Sequence, residues 1–396
     1  MGRLVCYIPP SSGVALFRDR IWHWGRLVQG NDLRKSFDVV LVMPEQYSGD
    51  EHLNLFRESE IEIYSEERHS PSQVFDLLEN RWPSFCKVTD DTTFIVAGFF
   101  NPFVGKYPHA LHLHFEMGIF SRPPMPGLVR YDSGGFFTNS VLASLVVSEG
   151  IPEEMVEILT EIAGCAERVF RMRANMPTAA HDRWYFEAPR ERGPLLMFAA
   201  PPPGDTVTEM LVGAKLSLTE MIDRLTLALP AGSTLLVTRH PFDHDLIDPA
   251  ALTPLNGIVV KFLDSVDGYS ATNAFLPFVD GVVTVNSMVG FQGKLLRKRL
   301  YAYHTSFLGG VADSLFSFQG VNGEGGNLRS RGLHHRLTLG YILGFLHLPP
   351  KIWNAGFGRD YVEHLLRGGA ATSLWRMTSA FEHLHAMAEY YQREIS

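Results

Sequence analysis

Between Phe278 and Ser314 the sequence FVDGVVTVNSMVGFQGKLLRKRLYAYHTSFLGGVADS sets a buried strand, a polar turn and a helix in immediate succession. A charged turn at Asp280 and Gly281 opens it. Val282 to Val285 then form a β-branched run of the kind buried in parallel sheets. Asn286 and Ser287 follow, residue types whose side-chain oxygens accept hydrogen bonds from free helix N–H groups. Val289, Leu295 and Leu296 supply an apolar helical pattern, and a second strand-like run, Leu300 to Tyr303, leads to a turn at Gly309 and Gly310. A helix N-terminus at the carboxyl end of a strand is where open α/β sheets bind anions and nucleotides. Ser and Asn also cap many helices that bind nothing, so capping alone is the alternative.

The same alternation extends along the chain. Leu4 to Ile8, Phe37 to Met43, Ile61 to Tyr64, Thr93 to Ala97 and Ala110 to Phe115 read as strands of a first α/β domain, and LVRYDSGG as strand and turn. Helices are expected over Ser70 to Leu78, Ser140 to Val147 and Pro152 to Met172. After Ala180 the polar, turn-rich HDRWYFEAPRERG marks a boundary. Beyond it come strands at Leu195 to Ala200, Leu235 to Thr238 and Ile258 to Phe262, with one helix from Met210 to Leu229. This strand–helix order predicts a parallel sheet with right-handed crossovers. At the end, Leu374, Met377, Phe381, Leu384 and Ala388 fall on one helix face. The expected division is an α/β domain over 1–185, a second over 186–350, and helices packing on the body over 351–396.

A chain of 396 residues, 45% hydrophobic and 20% charged, is long enough for two domains with sizeable cores. Its net charge of −8 argues against a nucleic-acid partner. Cys6, Cys86 and Cys165 lie far apart without a CxxC pair and fit buried free thiols in a reducing compartment. MGRLVCYIPP lacks the features of a signal peptide, and the apolar run Leu337 to Leu348 is too short to span a bilayer and contains His347. The expected location is cytoplasmic, with peripheral contact at the inner face of the membrane.

Three stretches carry groups able to do chemistry. His240-Pro241 follows a buried strand, where an imidazole aimed by a fixed turn can meet a phosphate; a ligand-free turn histidine is the commoner case. In HLHFE, His112, His114 and Glu116 share one strand face, a pattern open to a metal but more often found at core edges. A carboxylate such as Glu116 can serve as base or nucleophile, whereas Asp132 in YDSGG also suits a turn. The basic run Lys294, Arg297, Lys298 and Arg299 reads as a solvated helix end. Arg329, Arg331, His334, His335 and Arg336 could meet an anionic lipid or glycan.

These stretches resemble, in order, the motifs of the bacterial capsule-polysaccharide β-Kdo transferases. In that family a strand ends in a Thr/Ser turn followed by Gly-Phe-Glu-Ala-Leu, matched here by Ser287, Gly290, Phe291, Leu295 and Leu296, with Gln292 in place of Glu. FLGGVADS resembles the family's aromatic, Gly-rich turn ending in Asp, and His240-Pro241 its His-Pro pair. LLMFAAPPPGDT matches a third block at Gly204 and Asp205 but has Ala and Pro where the family carries Gln. Glu116, Gly118, Arg122, Asp132, Gly135 and Ser140 match the family's Glu-Asp-Gly-Phe-Leu-Arg-Ser and Asp-Gly-Ile segments, with Met117 in place of the second acid.

The resemblance implies two Rossmann-like domains facing across a cleft, the GT-B arrangement, with C-terminal helices crossing back. It implies transfer of a Kdo-like sugar from a CMP-linked donor to a glycan or glycolipid acceptor, with no metal and no cofactor. Glu116 and then Asp132 are the implied catalytic carboxylates. Gly204, Asp205, His240, Pro241, Asn286, Ser287, Gly290 and Gln292 are the implied donor site. Met117, Gln292 and the missing glutamine near Pro201 keep two alternatives in view: a non-catalytic glycan- or partner-binding relative, or a GT-B enzyme using a UDP- or GDP-sugar.

Overall fold

The computed structural model describes residues 2–9, 14–30, 33–56, 59–64, 91–97, 101, 103–118, 128–135, 139–143, 145, 150–174, 193–202, 205–238, 252–263, 272, 275–318, 333–349 and 356–393. The strands in chain order are β1 (Gly2–Tyr7), β2 (Phe37–Pro44), β3 (Glu60–Tyr64), β4 (Thr92–Ala97), β5 (Leu111–Met117), β6 (Val129–Asp132), β7 (Leu195–Ala199), β8 (Thr234–Thr238), β9 (Val259–Leu263), β10 (Gly281–Thr284), β11 (Arg299–Tyr303), β12 (Ser314–Phe316) and β13 (His347–Leu348). The α-helices are α1 (Val14–Gly30), α2 (Glu153–Ala174), α3 (Thr206–Val212), α4 (Leu218–Ala228), α5 (Val289–Leu295), α6 (Leu333–Tyr341), α7 (Phe357–Leu366) and α8 (Ala380–Arg393).

Two mostly parallel sheets result, and the fold is two Rossmann-like α/β units. The first has the order β13-β6-β5-β4-β1-β2-β3, the second β12-β11-β10-β7-β8-β9. In the first, β1 to β5 are parallel, β6 runs antiparallel to β5, and β13 antiparallel to β6. The second is parallel throughout. Its order, counted from β7, is 3-2-1-4-5-6, the dinucleotide-binding order in which winding reverses between the first and fourth strands. Buried β-branched and aromatic residues hold each sheet. Val5, Tyr7, Val40, Val42, Phe94 and Val96 form one core, and Leu196, Phe198, Leu235, Val237, Val283 and Tyr301 belong to another.

By internal contacts the first unit comprises Met1–Phe136, Ser148–Leu159 and Tyr341–Glu389, and the second Phe137–Val147, Thr160–Gly340 and Tyr390–Ser396. The boundary expected at 185–186 lies outside the described residues. The chain returns to its first unit at Tyr341, through a π-helical turn (Ile342–Leu346) that delivers β13 to the edge of the first sheet. Of the expected terminal segment 351–396, the part up to Glu389 thus groups with the first unit and Tyr390–Ser396 with the second.

Several local expectations change. The single helix expected from Met210 to Leu229 is two, because Gly213 (φ 71°) ends α3 in the left-handed conformation and Ser217 restarts the chain with a capping box to Glu220. Over Ser140 to Val147 the described residues form only a short 3-10 turn at Val141–Ala143, where Ser140 Oγ accepts from Leu142 N at 3.1 Å. Phe381 is 40% exposed, whereas Leu374, Met377, Leu384 and Ala388 are buried. The helical path breaks between the 3-10 turn Ala371–Arg376 and α8, so the period does not carry through. The helix expected over Ser70 to Leu78 lies outside the described residues. Cys6 and Cys165 are buried free thiols, and Cys86 also falls outside. Among the described residues no helix is long and apolar enough to cross a membrane.

Helix α5 lies close on the second sheet because two of its residues lack side chains. A Cβ at Gly293 would fall 2.7 Å from Val282 Cγ2, and one at Gly290 2.8 Å from Leu308 Cδ1. Gly293→Ala is therefore expected to lower the unfolding midpoint, overpacking costing about 1–3 kcal/mol against about 1 kcal/mol of helix propensity gained. A thermal melt with an unchanged midpoint would show that α5 moves off β10 without cost.

Candidate functional site

The second sheet reverses its winding between β7 and β10, and the loops leaving these two strands meet there. Asp205, six residues beyond Ala199, caps α3: its Oδ2 accepts from Thr208 N at 3.0 Å and from Thr208 Oγ1 at 2.5 Å. The same oxygen accepts from Asn286 Nδ2 at 3.3 Å, across the switch point. Asn286 is thus not a helix cap as its residue type suggested; it joins the two loops. Thr284 Oγ1 accepts from Ser287 N at 2.9 Å, and Ser287 Oγ accepts from Val289 N at 3.3 Å. The N-cap position of α5 is Met288, which makes no side-chain cap.

Of the remaining implied donor residues, Gly290 is buried in the contact of α5 with Leu300, Leu308 and Thr284, so its missing side chain is accounted for by packing. Gln292 is half-buried on the same helix. Gly204, His240 and Pro241 lie outside the described residues. The strand that precedes His240, β8, ends at Thr238 on the same sheet edge as β10, with β7 between them.

At the opposite, amino-terminal ends of these strands Asp280 fixes the register. Its Oδ2 accepts from Leu195 N at 2.9 Å, and its carbonyl accepts from Arg299 N at 3.1 Å. The basic run is not simply a solvated helix end. Lys294 is 5% exposed and donates to Asp313 Oδ2 at 2.8 Å, an oxygen that also accepts from Leu300 N at 2.7 Å. Lys298 Nζ donates to Pro277 O at 2.7 Å. Arg297 and Arg336 approach Glu167 at 3.5 and 3.4 Å. Burial works to raise the Glu167 carboxyl, but Arg171, Arg297 and Arg336 outweigh it and hold the group below its ordinary range.

The implied catalytic carboxylates stand in the first unit. Glu116 on β5 is in register with Arg130 on β6, which is in register with His347 on β13; His114 pairs with Asp132. Paired positions, and positions two apart on one strand, share a sheet face. His112, His114, Glu116, Arg130, Asp132 and His347 therefore occupy one face. Arg130 is 1% exposed, Asp132 2% and His347 0%, while Glu116 is half-buried. Asp132 Oδ1 accepts from Gly134 N at 2.8 Å, the turn role its sequence allowed. Buried and in register with His114, Asp132 is not a second exposed acid beside Glu116.

Burial brings the Arg130 guanidinium down to about 10, against the charges of Asp132 and Glu116, which favour its protonated form. Burial, with the Arg130 charge, takes His347 down to about 3, so this imidazole is neutral. Its Nδ1–H donates to Ile342 O at 3.3 Å. Burial and Asp132 push the Tyr361 phenol up. His112 is committed elsewhere: Nε2–H donates to Tyr107 O at 2.8 Å, Nδ1 accepts from Asn101 Nδ2 at 3.2 Å, and the ring stacks on Phe94. Among the described residues no group of three His, Cys, Asp or Glu side chains is arranged to hold a metal ion.

Arg130 and His347 are the site members that sequence reading misses. The available signals were a charged residue inside the apolar run LVRYD, two positions from Asp132, and a histidine interrupting the late apolar run.

No protein-family model matches the chain, and no curated protein sequence matches it. Among solved structures, the chain is similar to a KpsC β-Kdo 2,7 transferase of Thermosulfurimonas dismutans, with 10% identity, 92% of this chain and 99% of that one covered, and a TM-score of 0.45. The β-Kdo 2,4 transferase of the same organism's KpsC shows 18% identity over 76% of this chain and 89% of that one, with a TM-score of 0.46. A UDP co-structure of MnaA from S. aureus shows 13% identity over 92% and 97%, with a TM-score of 0.31. These are similarities only.

Proposed function

We propose that the chain is a glycosyltransferase of capsule or cell-surface polysaccharide assembly that transfers a Kdo-like sugar from a CMP-linked donor to a glycan or glycolipid acceptor. It would act in the cytoplasm, at the inner face of the membrane. The observation that carries this reading is the switch point of the second sheet, where Asp205, Asn286 and the Ser287 turn meet at the carboxyl edge.

The chemistry divides between the two loops. Asp205 has already capped α3 with its own carboxylate, so a donor phosphate is directed to the Ser287 turn, and Asp205 Oδ1 suits a hydroxyl donor. His240, which follows β8 in the sequence, would add a hydrogen bond or a charge to that phosphate, with Pro241 and Gly204 completing the donor set. Gln292 would meet the ribose. Glu116 supplies the carboxylate for a retaining transfer. No metal is required where hydrogen-bond donors offset the charge of the leaving phosphate.

Thermal stabilisation by CMP, UDP and GDP is the direct test. CMP is expected to raise the unfolding midpoint, and Ser287→Ala to reduce that rise. Stabilisation by UDP or GDP instead moves the donor to another nucleotide, and no response to any of the three removes the donor site. Met117, Gln292 and the proline-rich β7 loop favour a second reading, a non-catalytic relative that binds glycan or a transferase partner. Nucleotide binding without turnover on any sugar donor would establish it.

A further inference from the structure

Two basic runs of the sequence converge on one carboxylate of the second unit. Arg297 and Arg336 approach Glu167 Oε2 at 3.5 and 3.4 Å, and Arg171, four residues along α2 from Glu167, meets Oε1 at 2.9 Å. The three guanidinium groups come from different places: just beyond α5, from α6 and from α2. Their side chains are 62%, 41% and 48% exposed, whereas that of Glu167 is 13% exposed. Three positive charges thus surround one negative charge, and two are in excess. Arg329 and Arg331 of the second run lie outside the described residues.

Arg297 holds its place against backbone preference. Helix α5 ends in a Schellman turn, in which Arg297 N donates to Lys294 O at 3.0 Å and Lys298 N to Gly293 O at 2.9 Å. The turn puts Arg297 at φ 60°, the left-handed region where glycine is unstrained and a long side chain is not. The pairing with Glu167 does not account for an arginine here, because an exposed ion pair at 3.5 Å contributes little. A strained, exposed cation that its neighbour barely uses points to a ligand outside the chain.

The guanidinium fork matches the paired oxygens of a phosphate. With so much of each side chain in solvent, the three arginines suit a phosphate-bearing surface better than one enclosed phosphate. Arg297 lies two residues before β11, at the amino-terminal edge of the second sheet, opposite the edge that carries the Ser287 turn. A surface bound there leaves the donor edge open. The chain as a whole, at −8, is repelled by an anionic bilayer, so the attraction has to be local and short-ranged.

We propose that Arg171, Arg297 and Arg336 form a docking surface for anionic phospholipid headgroups, with Glu167 holding the three forks together. This deepens the proposed function and rests on its placement at the inner face of the membrane.

Vesicle flotation of the full chain tests the surface. At low salt the wild type is expected to float with phosphatidylcholine vesicles containing about 30% phosphatidylglycerol, to ignore phosphatidylcholine alone, and to be released as salt rises to about 0.5 M. Arg297→Gly is expected to weaken binding about fivefold and to raise the unfolding midpoint by about 1–3 °C, since glycine relieves the turn. Unchanged binding with an unchanged or lower midpoint is the mark of a residue that serves only the fold, and overturns the proposal. Adding Arg171→Gln and Arg336→Gln is expected to weaken binding about a hundredfold in all. Binding that persists in this triple variant, or equal binding to neutral vesicles, also overturns it. Release by glycerol phosphate at the concentration of the lipid phosphate would make the ligand a free phosphate, and preference for heparin over the vesicles would make it an anionic glycan; either result overturns the lipid assignment. Stabilisation by CMP without vesicle binding overturns this surface and leaves the donor site standing. Vesicle binding without a response to CMP supports the surface and removes the donor site.

Discussion

Glu116→Gln is expected to leave nucleotide binding nearly intact and to lower sugar transfer by at least about a hundredfold, the usual loss when a group acting directly on the reaction is removed. The substitution keeps shape and hydrogen-bonding capacity but removes the charge that a covalent or ion-pair step at an anomeric carbon requires. Binding is preserved because the proposed nucleotide site stands on β7 and β10 of the second sheet, whereas Glu116 is on β5 of the first. Isothermal titration with CMP and a radiolabelled transfer assay read the two effects separately. Retained turnover would move the chemistry to another acid. Asp132, at 2% exposure and bonded to Gly134 N, is poorly placed to reach substrate, so Asp205 would be examined next. Loss of nucleotide binding together with turnover would mean that Glu116 supports the fold rather than the reaction.

The strands were legible in the sequence because their signal is local. A run such as FDVVLVM reads as a strand buried on both faces, and all of it but Asp38 is buried in β2. The alternation of runs and helices likewise points to parallel sheets. Helix α1 was not among the expected elements, although Ile21, Trp24 and Val28 stand at helical spacing and are all buried, and Ser11 and Ser12, residue types that cap helices, precede it in the sequence. What local pattern cannot carry is pairing between distant segments. The hydrogen bond from Asn286 to Asp205 joins residues 81 apart, and Asn286 in isolation reads as a cap. Arg130 reads as a misplaced charge in a strand until β13, more than two hundred residues later, is laid beside it. The division of one expected helix at Gly213 is a further case, since five residues of turn decide it against a continuous apolar pattern.

The return of the chain to its first unit leads to the second large effect. A chain ending at Gly340 is expected to lose the folded first unit, seen as aggregation, or as rapid proteolysis within Met1–Phe136 and Ser148–Leu159. Beyond that point the native chain supplies Tyr341, Ile342, Leu343, Phe345, Leu346, Leu348, Phe357, Tyr361, Val362, Leu374, Leu384 and Met387, all buried, and all but Tyr390–Ser396 group with the first unit. At about 1.5–3 kcal/mol for each large apolar side chain, their loss exceeds the roughly 5–15 kcal/mol by which a domain is stable. Specific bonds go with them: Tyr341 Oη donates to Ala371 O at 2.8 Å and accepts from Leu374 N at 2.9 Å, and His383 Nε2–H donates to Gly344 O at 2.6 Å. Without β13, the outer edge of β6 would be unpaired, and Arg130, buried at 1% exposure, would lose the strand beside it. The six strands of the second sheet all precede Gly340, so its core is expected to survive and to keep some response to nucleotide. Circular dichroism and limited proteolysis of the truncated chain check both halves of this expectation. A soluble product with the midpoint of the full chain would mean that Tyr341–Glu389 decorates the first unit instead of completing it.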